Sequence, residues 1–297
     1  MNIFESYVKD MNHVEKFRAA YAQWIMGLAG VSADVRLREA FAFVPRERFV
    51  GPSPWQVVGQ AQYITITSDD PAFLYQDFAV SLRPEKHINN GQPSLHARCL
   101  SALQIIAGER VAHVGAGMGY YTAILARLAN PSGSVTAYEV DKDLADSAAA
   151  NLADYPSVAV RNGSGAEGPL PECDVIYVSA GATEPLEAWL DALRPGGRLL
   201  FPLTGAQSYG AMLMVTKRPA GGFAAQFVCA AAFIHCLGAR DEETAQKLGE
   251  AFKAGGLWNV QRNGPVWEVK SLHRGSQPDD TCWFAGNGWW LSRADPL

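Results

Sequence analysis

Three glycines in five positions, set between a strand-like run and a helix-like run, constrain this chain more than any other feature. The stretch is VAHVGAGMGYYTAILA, residues 111–126. Around it the two kinds of run alternate. SLHARCLSALQII reads as a helix, RVAHVG as a buried strand, and YYTAILARLA as a helix closed by NPSG. The strand SVTAYEV, the helix KDLADSAAANLADY and the short strand VAVRNG follow, then DVIYVSA, the helix EPLEAWLDALR, a Pro-Gly-Gly turn and the strand RLLFPL. Strands that alternate with helices predict βαβ units: an α/β fold with a mostly parallel sheet, helices on both faces and right-handed crossovers.

In such a sheet ligands bind beyond the carboxyl ends of the strands, and the first strand-to-helix turn is the usual place. Glycines there allow tight backbone and close approach of a ligand. The spacing narrows the ligand. A dinucleotide turn is G-x-G-x-x-G, whereas Gly115, Gly117 and Gly119 give G-x-G-x-G, and Tyr120 stands where the last dinucleotide glycine belongs. A bulky residue there disfavours a pyrophosphate and suits a smaller ligand, an adenosine bearing an amino acid. Glu139 lies 20 residues past Gly119, at the end of the second strand. A carboxylate so placed can accept hydrogen bonds from both ribose hydroxyls. Together these features predict S-adenosylmethionine as cofactor and S-adenosylhomocysteine as product. A glycine turn alone would also suit any tight loop, and Glu139 alone would suit a solvated surface.

The flanks are less regular. VEKFRAAYAQWIMGLAG carries Val14, Phe17, Tyr21, Trp24, Ile25 and Leu28 at helical spacing, with Gly30 as a stop. SADVRLREAFAFVP predicts a second helix with Ser32 as N-cap and Pro45 beyond its end. Residues 51–90 are loop-rich, with one strand at YITIT. The tail from 205 offers strands GAMLMVT and AQFVCAAAFI, the helix DEETAQKLGEAFKAG, and aromatic strands near VWEVKSL and CWFAGNGWWLS.

Composition sets outer limits. The 297 residues are 48% hydrophobic and 19% charged, with net charge −5, an ordinary balance for a globular protein. No basic block suggests nucleic acid or an anionic membrane as partner, and no apolar run suggests a membrane span. The polar, mixed-charge start MNIFESYVKDMNHVEKF argues against a signal peptide. Five cysteines, an odd number without C-x-x-C spacing, point to reduced core thiols in a cytoplasmic protein and to no metal framework.

The same segments, in the same order, resemble the protein-L-isoaspartate O-methyltransferase family. AFAFVPRERFV is similar to that family's A-M-x-x-V-P-R-x-x-F-V element. YQDFAVSL and NNGQPSLHA occupy the place of its substrate loop and following helix. VAHVGAGMGYYTAILA, RNGSG, CDVIYVSAGA and LRPGGRLLFPL match the remaining blocks, so the resemblance spans roughly 35–205. It implies a Rossmann-like methyltransferase fold with an α+β tail. The chain then divides into an N-terminal helical and substrate-loop region (1–90), a core (91–216) and a C-terminal extension (217–297). The resemblance also implies methyl transfer from S-adenosylmethionine to a carboxylate on a peptide or protein. His113, Gly115, Ala116, Gly117, Gly119, Tyr120, Glu139, Val140, Asn162, Gly163 and Ser164 would hold the cofactor. Asn89, Asn90, Gly91, Gln92, Ser94 and His96 would line the acceptor site, with Tyr75 and Asp77 nearby.

Five positions at three sites depart from the family pattern. His113 stands where an acid is usual, and Ser164 replaces the acid of G-D-G. Asn89, Asn90 and Gly91 replace Thr-Ile-Ser, whose hydroxyls sit at the isoaspartyl site. Two readings therefore stay open beside carboxyl methylation of a peptide: a small-molecule or modified-peptide acceptor, and a non-catalytic binding module. Tyr120 argues against a third, a nucleotide-dependent oxidoreductase. A carboxylate acceptor needs no base, being ionised at neutral pH. A nucleophile of high pKa would need one, and His96, His87 or Asp77 would be first candidates. Neither sequence nor spacing reveals the oligomeric state.

Overall fold

The computed structural model describes residues 12–59, 62–254 and 268–296. Helices α1 (His13–Ala29) and α2 (Val35–Phe43) come first, followed by a 3-10 turn at Arg46–Phe49. Two small hairpins follow, β1 (Trp55–Val58) with β2 (Tyr63–Ile66), and β3 (Ser81–Arg83) with β4 (Ile88–Asn89). Helix α3 (Pro93–Leu103) leads into the core. There β5 (Arg110–Val114), α4 (Tyr120–Ala129), β6 (Ser134–Glu139), α5 (Lys142–Asn151) and β7 (Val158–Asn162) form two βαβ units. β8 (Cys173–Val178), α6 (Glu187–Ala192) and β9 (Leu193–Thr204) form the next.

These five strands run parallel in the order β7-β6-β5-β8-β9, as the alternation predicts. The sheet continues without a break into antiparallel strands β10 (Tyr209–Lys217), β11 (Phe223–Ala232), β12 (Ser271–Arg274), β14 (Trp289–Ser292) and β13 (Cys282–Ala285). Helix α7 (Glu242–Ala254) packs against β9 and β10. The tail thus extends one ten-stranded sheet.

Parallel strands covered on both faces are apolar throughout, and their side chains alternate between two cores. Val111, Val175, Tyr177, Leu200 and Met212 face α1–α4 in one cluster. Ala112, Val114, Ile176, Val178, Leu199 and Phe201 face α6 and α7, around Trp189, Leu248 and Phe252, in the other. His113 follows Val111 in phase, so it points at α4.

Three local expectations are corrected. In α1 the buried stripe is Tyr21, Ala22, Ile25, Met26 and Ala29, whereas Phe17, Trp24 and Leu28 are nearly half exposed. Small residues let the helix approach closely, and periodicity alone does not show which apolar arc turns inward. Asp34, not Ser32, caps α2, because its carboxylate accepts the Leu37 N–H at 3.0 Å. Val266 and Trp267 of VWEVKSL lie outside the described residues, and the strand begins at Ser271. The five cysteines are unpaired and four of them are buried. No helix among the described residues is long and apolar enough to cross a membrane.

Candidate active site

Strand order reverses at β5, with β6 and β7 on one side and β8 and β9 on the other. A crevice opens at such a switch point, beyond the carboxyl ends of the strands. Here it is a cleft of about 820 Å³.

The glycine turn forms one wall. Gly115 and Ala116 donate their N–H groups to Tyr138 O at 2.9 and 3.1 Å, tying the turn to β6. Gly117 has φ +56°, and a Cβ there would lie 3.1 Å from Leu82 Cδ1. Gly119 (φ +98°) serves packing instead, since a Cβ would meet Leu152 Cδ1 at 2.7 Å. Tyr120 begins α4, buried edge-on to Phe41 and tilted against Phe49, and also lines the cleft.

Glu139 ends β6 inside the cleft, only 7% exposed. One carboxylate oxygen accepts the Gly117 N–H at 2.7 Å and the other the Asp141 N–H at 3.0 Å. Each oxygen has a second lone pair, so both remain able to accept a hydroxyl. Burial raises its pKa, and the two backbone bonds only partly counter that. The bare turn, the vicinal-diol acceptor and the open ground beside Gly163, where a Cβ would touch nothing, fit an adenosyl cofactor.

Of the residues expected at the cofactor, Gly115, Ala116, Gly117, Tyr120, Glu139, Val140, Gly163 and Ser164 line the cleft. His113, Gly119 and Asn162 stand behind it. Asn162 donates to Glu139 O at 3.1 Å and so steadies the strand end. His113 sits between Thr122 Oγ1 (2.8 Å) and Ser179 Oγ (3.1 Å), stacked on Tyr177. Burial lowers its pKa to about 3, so it is neutral at physiological pH and replaces no carboxylate. Ser164 Oγ accepts from Ala166 N at 3.1 Å and donates to Leu237 O at 3.3 Å.

Opposite lies the acceptor loop. Asn89, Asn90, Gly91, Gln92 and His96 line the cleft, and Ser94 lies behind it. Asn89 Oδ1 turns back to the Gly91 N–H at 2.9 Å, and Asn90 Oδ1 accepts the Val80 N–H at 2.7 Å. Asp77 holds the start of α3 from across the loop. It accepts the Ser94 N–H at 2.8 Å, the Ser94 hydroxyl at 2.7 Å and Gln92 Nε2 at 2.8 Å. With three hydrogen bonds the carboxylate works as an external helix cap, not as a free base. Replacing Asp77 by alanine removes that cap at a cost of about 1–2 kcal/mol. It is expected to raise the acceptor KM more than it lowers kcat, as thermal denaturation and steady-state kinetics will read. An unchanged acceptor KM would show that the loop keeps its shape alone. Tyr75 is tied to Glu47 and packs edge-on to Tyr21, away from the acceptor. His87 is exposed, stacked on Tyr63, and does not line the cleft. Lys86, in the cleft wall, is paired with Asp141 at 2.6 Å.

Residues of the antiparallel half complete the cleft: Gln207, Ser208 and Tyr209 at the β9–β10 turn, and Phe233, His235 and Leu237 after β11. Ser208 sits at φ +66°, its hydroxyl 3.0 Å from His235 Nε2. Sequence reasoning missed this wall, because only a histidine within an apolar run marked it. No group of three or more potential metal ligands occurs among the described residues.

A parallel sheet with this turn at its switch point and this carboxylate at the next strand end defines the Rossmann-like, S-adenosylmethionine-dependent methyltransferases. A family model described as protein-L-isoaspartate(D-aspartate) O-methyltransferase (PCMT) matches residues 24–241. The chain belongs to that family. It is 29% identical over 227 residues to the protein-L-isoaspartate O-methyltransferase of Rhodopseudomonas palustris strain CGA009, covering 75% of this chain and 94% of that one. It is 33% identical over 204 residues to the Pseudomonas aeruginosa PAO1 protein of the same name, covering 65% and 95%. Among solved structures, a protein-L-isoaspartate O-methyltransferase superposes with a TM-score of 0.61 at 21% identity, over 86% of this chain and 74% of that one. A Plasmodium falciparum protein of the PCMT type, in complex with S-adenosyl-L-homocysteine, gives 0.58 at 18%, over 74% and 98%. At those identities the superpositions speak for the fold.

Proposed function

We propose that the protein esterifies a carboxylate on a peptide or protein, the methyl group coming from S-adenosylmethionine. The observation that carries this reading is the continuity of the cleft from Glu139 and the glycine turn to the loop 89–92. Gly115, Ala116, Gly117 and Glu139 would hold the cofactor's amino-acid and ribose parts, and Gly163 and Ser164 its adenine edge. When bound, the cofactor supplies a methyl group on a sulfonium, which leaves as a neutral thioether. The residues around the acceptor loop suit a nucleophile that arrives ionised. His96 and His113 are both held near pKa 3 by burial, and neither can take a proton effectively at neutral pH. A carboxylate, ordinarily ionised above pH about 4, needs no such help. What the chain contributes is alignment and exclusion of water. The five unpaired cysteines support a cytoplasmic setting.

The test is a peptide panel with radiolabelled S-adenosylmethionine: isoaspartyl, D-aspartyl and ordinary aspartyl peptides, a free C-terminal carboxylate, and a carboxamide control. The expected result is base-labile label on at least one carboxylate peptide and none on the carboxamide. Label that survives base, or label on the carboxamide, would overturn the reading.

A further inference from the structure

A second cavity, of about 570 Å³, adjoins the cofactor cleft. Leu82 and Met118 line both spaces and form the partition between them. Neither the glycines of the turn, nor Glu139, nor the loop 89–92 borders it.

Its polar wall is built by the two small hairpins. Gln56 of β1 stands opposite Thr65 of β2. The antiparallel bridge between Val57 and Val80 carries the same row on to Ser81, the first residue of β3. Residues in one row across paired strands share a face, and these three all line the cavity. Arg83, at the end of β3, lines it too. Val50, Trp55 and Leu144 add apolar surface.

Three polar atoms of that wall are buried and have no hydrogen-bond partner among the described residues: Gln56 Oε1, Ser81 Oγ and Arg83 Nε. Buried polar groups are nearly always paired, with protein, water or ligand. Three such atoms on residues around one cavity mark a place where something polar binds.

The wall also restricts what that is. Arg83 Nη2 lies 2.5 Å from Asp143 Oδ2 and 3.6 Å from Asp141 Oδ1, and Lys86 Nζ lies 2.6 Å from Asp141 Oδ2. Two cations and two carboxylates therefore balance. An anion beside Arg83 Nε would meet Asp143, which borders the same cavity, and a cation would meet the guanidinium. A neutral ligand avoids both. Arg83 Nε–H can only donate, Gln56 Oε1 can only accept, and the Ser81 hydroxyl can do either. A ligand that satisfies all three must accept and donate. A carboxamide does so from one planar group: its oxygen accepts from Arg83 Nε–H and the Ser81 hydroxyl, and its N–H donates to Gln56 Oε1.

We propose that this cavity is a second binding site, for a small neutral carboxamide carried on a flat apolar body. The inference is independent of the methyl-transfer reading.

Benzamide is the probe. Benzoate keeps its shape but carries a charge, and acetophenone keeps the carbonyl but lacks the N–H. The titrations are run with S-adenosylhomocysteine present at saturating concentration, so that the ligands do not compete for the adenosyl cleft. The local reporter is the indole N–H of Trp55, which donates to Gly51 O at 3.0 Å beside the cavity. Nitrogen-15 spectra of tryptophan-labelled protein follow it. Benzamide is expected to shift that resonance with a Kd on the order of millimolar, as suits so small a ligand. Benzoate and acetophenone should each bind at least about tenfold more weakly. Ser81→Ala and Gln56→Leu should each weaken benzamide about 3- to 10-fold and leave S-adenosylhomocysteine affinity within twofold. A wild-type crystal soaked in benzamide should show the amide on Gln56, Ser81 and Arg83, which decides the matter even if a variant fails to fold. A Trp55 resonance that does not move at saturating solubility of benzamide, equal binding of benzoate, or an amide found elsewhere in the soaked crystal overturns the inference. Each of those results leaves carboxyl methylation standing, and a protein that methylates no carboxylate leaves this site standing.

Discussion

Replacing Glu139 by glutamine is expected to weaken S-adenosylhomocysteine binding by about 100-fold or more, on the scale of two charge-assisted hydrogen bonds. Stability should change little. The carboxylate is buried and its pKa is raised, chiefly by desolvation. A raised carboxyl pKa means that the folded state binds a proton more tightly than the unfolded one. The stabilising effect of that proton is present at low pH and fades as pH rises through the raised value, so at neutral pH the ionised group is held at a cost. Glutamine removes that cost and gives up one backbone bond, since its amide nitrogen cannot accept an N–H. The two changes oppose each other. Titration calorimetry and thermal denaturation on the same variant separate the predictions. Affinity within threefold of wild type would show that Glu139 does not carry the ribose. In the wild type, affinity should likewise fall as the solution is acidified, beginning at a higher pH than for an ordinary glutamate.

Arg46→Ala is expected to be the most damaging single change to the fold. The guanidinium is wholly buried. One nitrogen donates to Leu74 O (2.6 Å) and Gln76 O (2.7 Å), the other to Phe78 O (2.5 Å). It also lies over the rings of Tyr21 and Phe78. Those three carbonyls bend the chain around Asp77, which in turn caps α3 and sets the acceptor loop. Alanine would orphan all three carbonyls and leave a cavity between α1 and this loop. Disrupting a buried charged network costs about 3–5 kcal/mol, or a fall in Tm on the order of 10 °C for a chain of this size. Lysine keeps the charge but not the planar fork, and should recover less than half of the loss. A fall below about 2 °C in the alanine variant would show that the loop holds itself.

The parallel core and its ligand turn were legible because both rest on local rules. Buried strands need continuous apolar runs, and the turn needs glycine where φ is positive, as at Gly117 (φ +56°). Glu139 was legible because a strand end is a fixed place. The orientation of His113 also follows from strand parity, although the family resemblance placed it at the cofactor. What could not be read depends on packing between distant segments. The exposure of Phe17, Trp24 and Leu28 depends on which arc of α1 meets α2 and α3. The wall from Ser208 to Leu237 exists because the antiparallel half folds back to the mouth of the parallel half. The role of Asp77 appears only when it meets Ser94, 17 residues away. Nor does a sequence show that the side chains of Asn89 and Asn90 bond to backbone, so that a neutral histidine beneath Gly91 is left facing the cleft.

A crystal structure of the protein saturated with S-adenosylhomocysteine decides whether the cleft between Glu139 and the loop 89–92 is the cofactor site. The ribose hydroxyls are expected on the Glu139 carboxylate, the amino-acid moiety against Gly115–Gly117, and the sulfur facing the loop that carries Asn89 to Gln92. A cleft that stays empty at saturating ligand, or a ligand bound without contact to Glu139, would contradict that assignment.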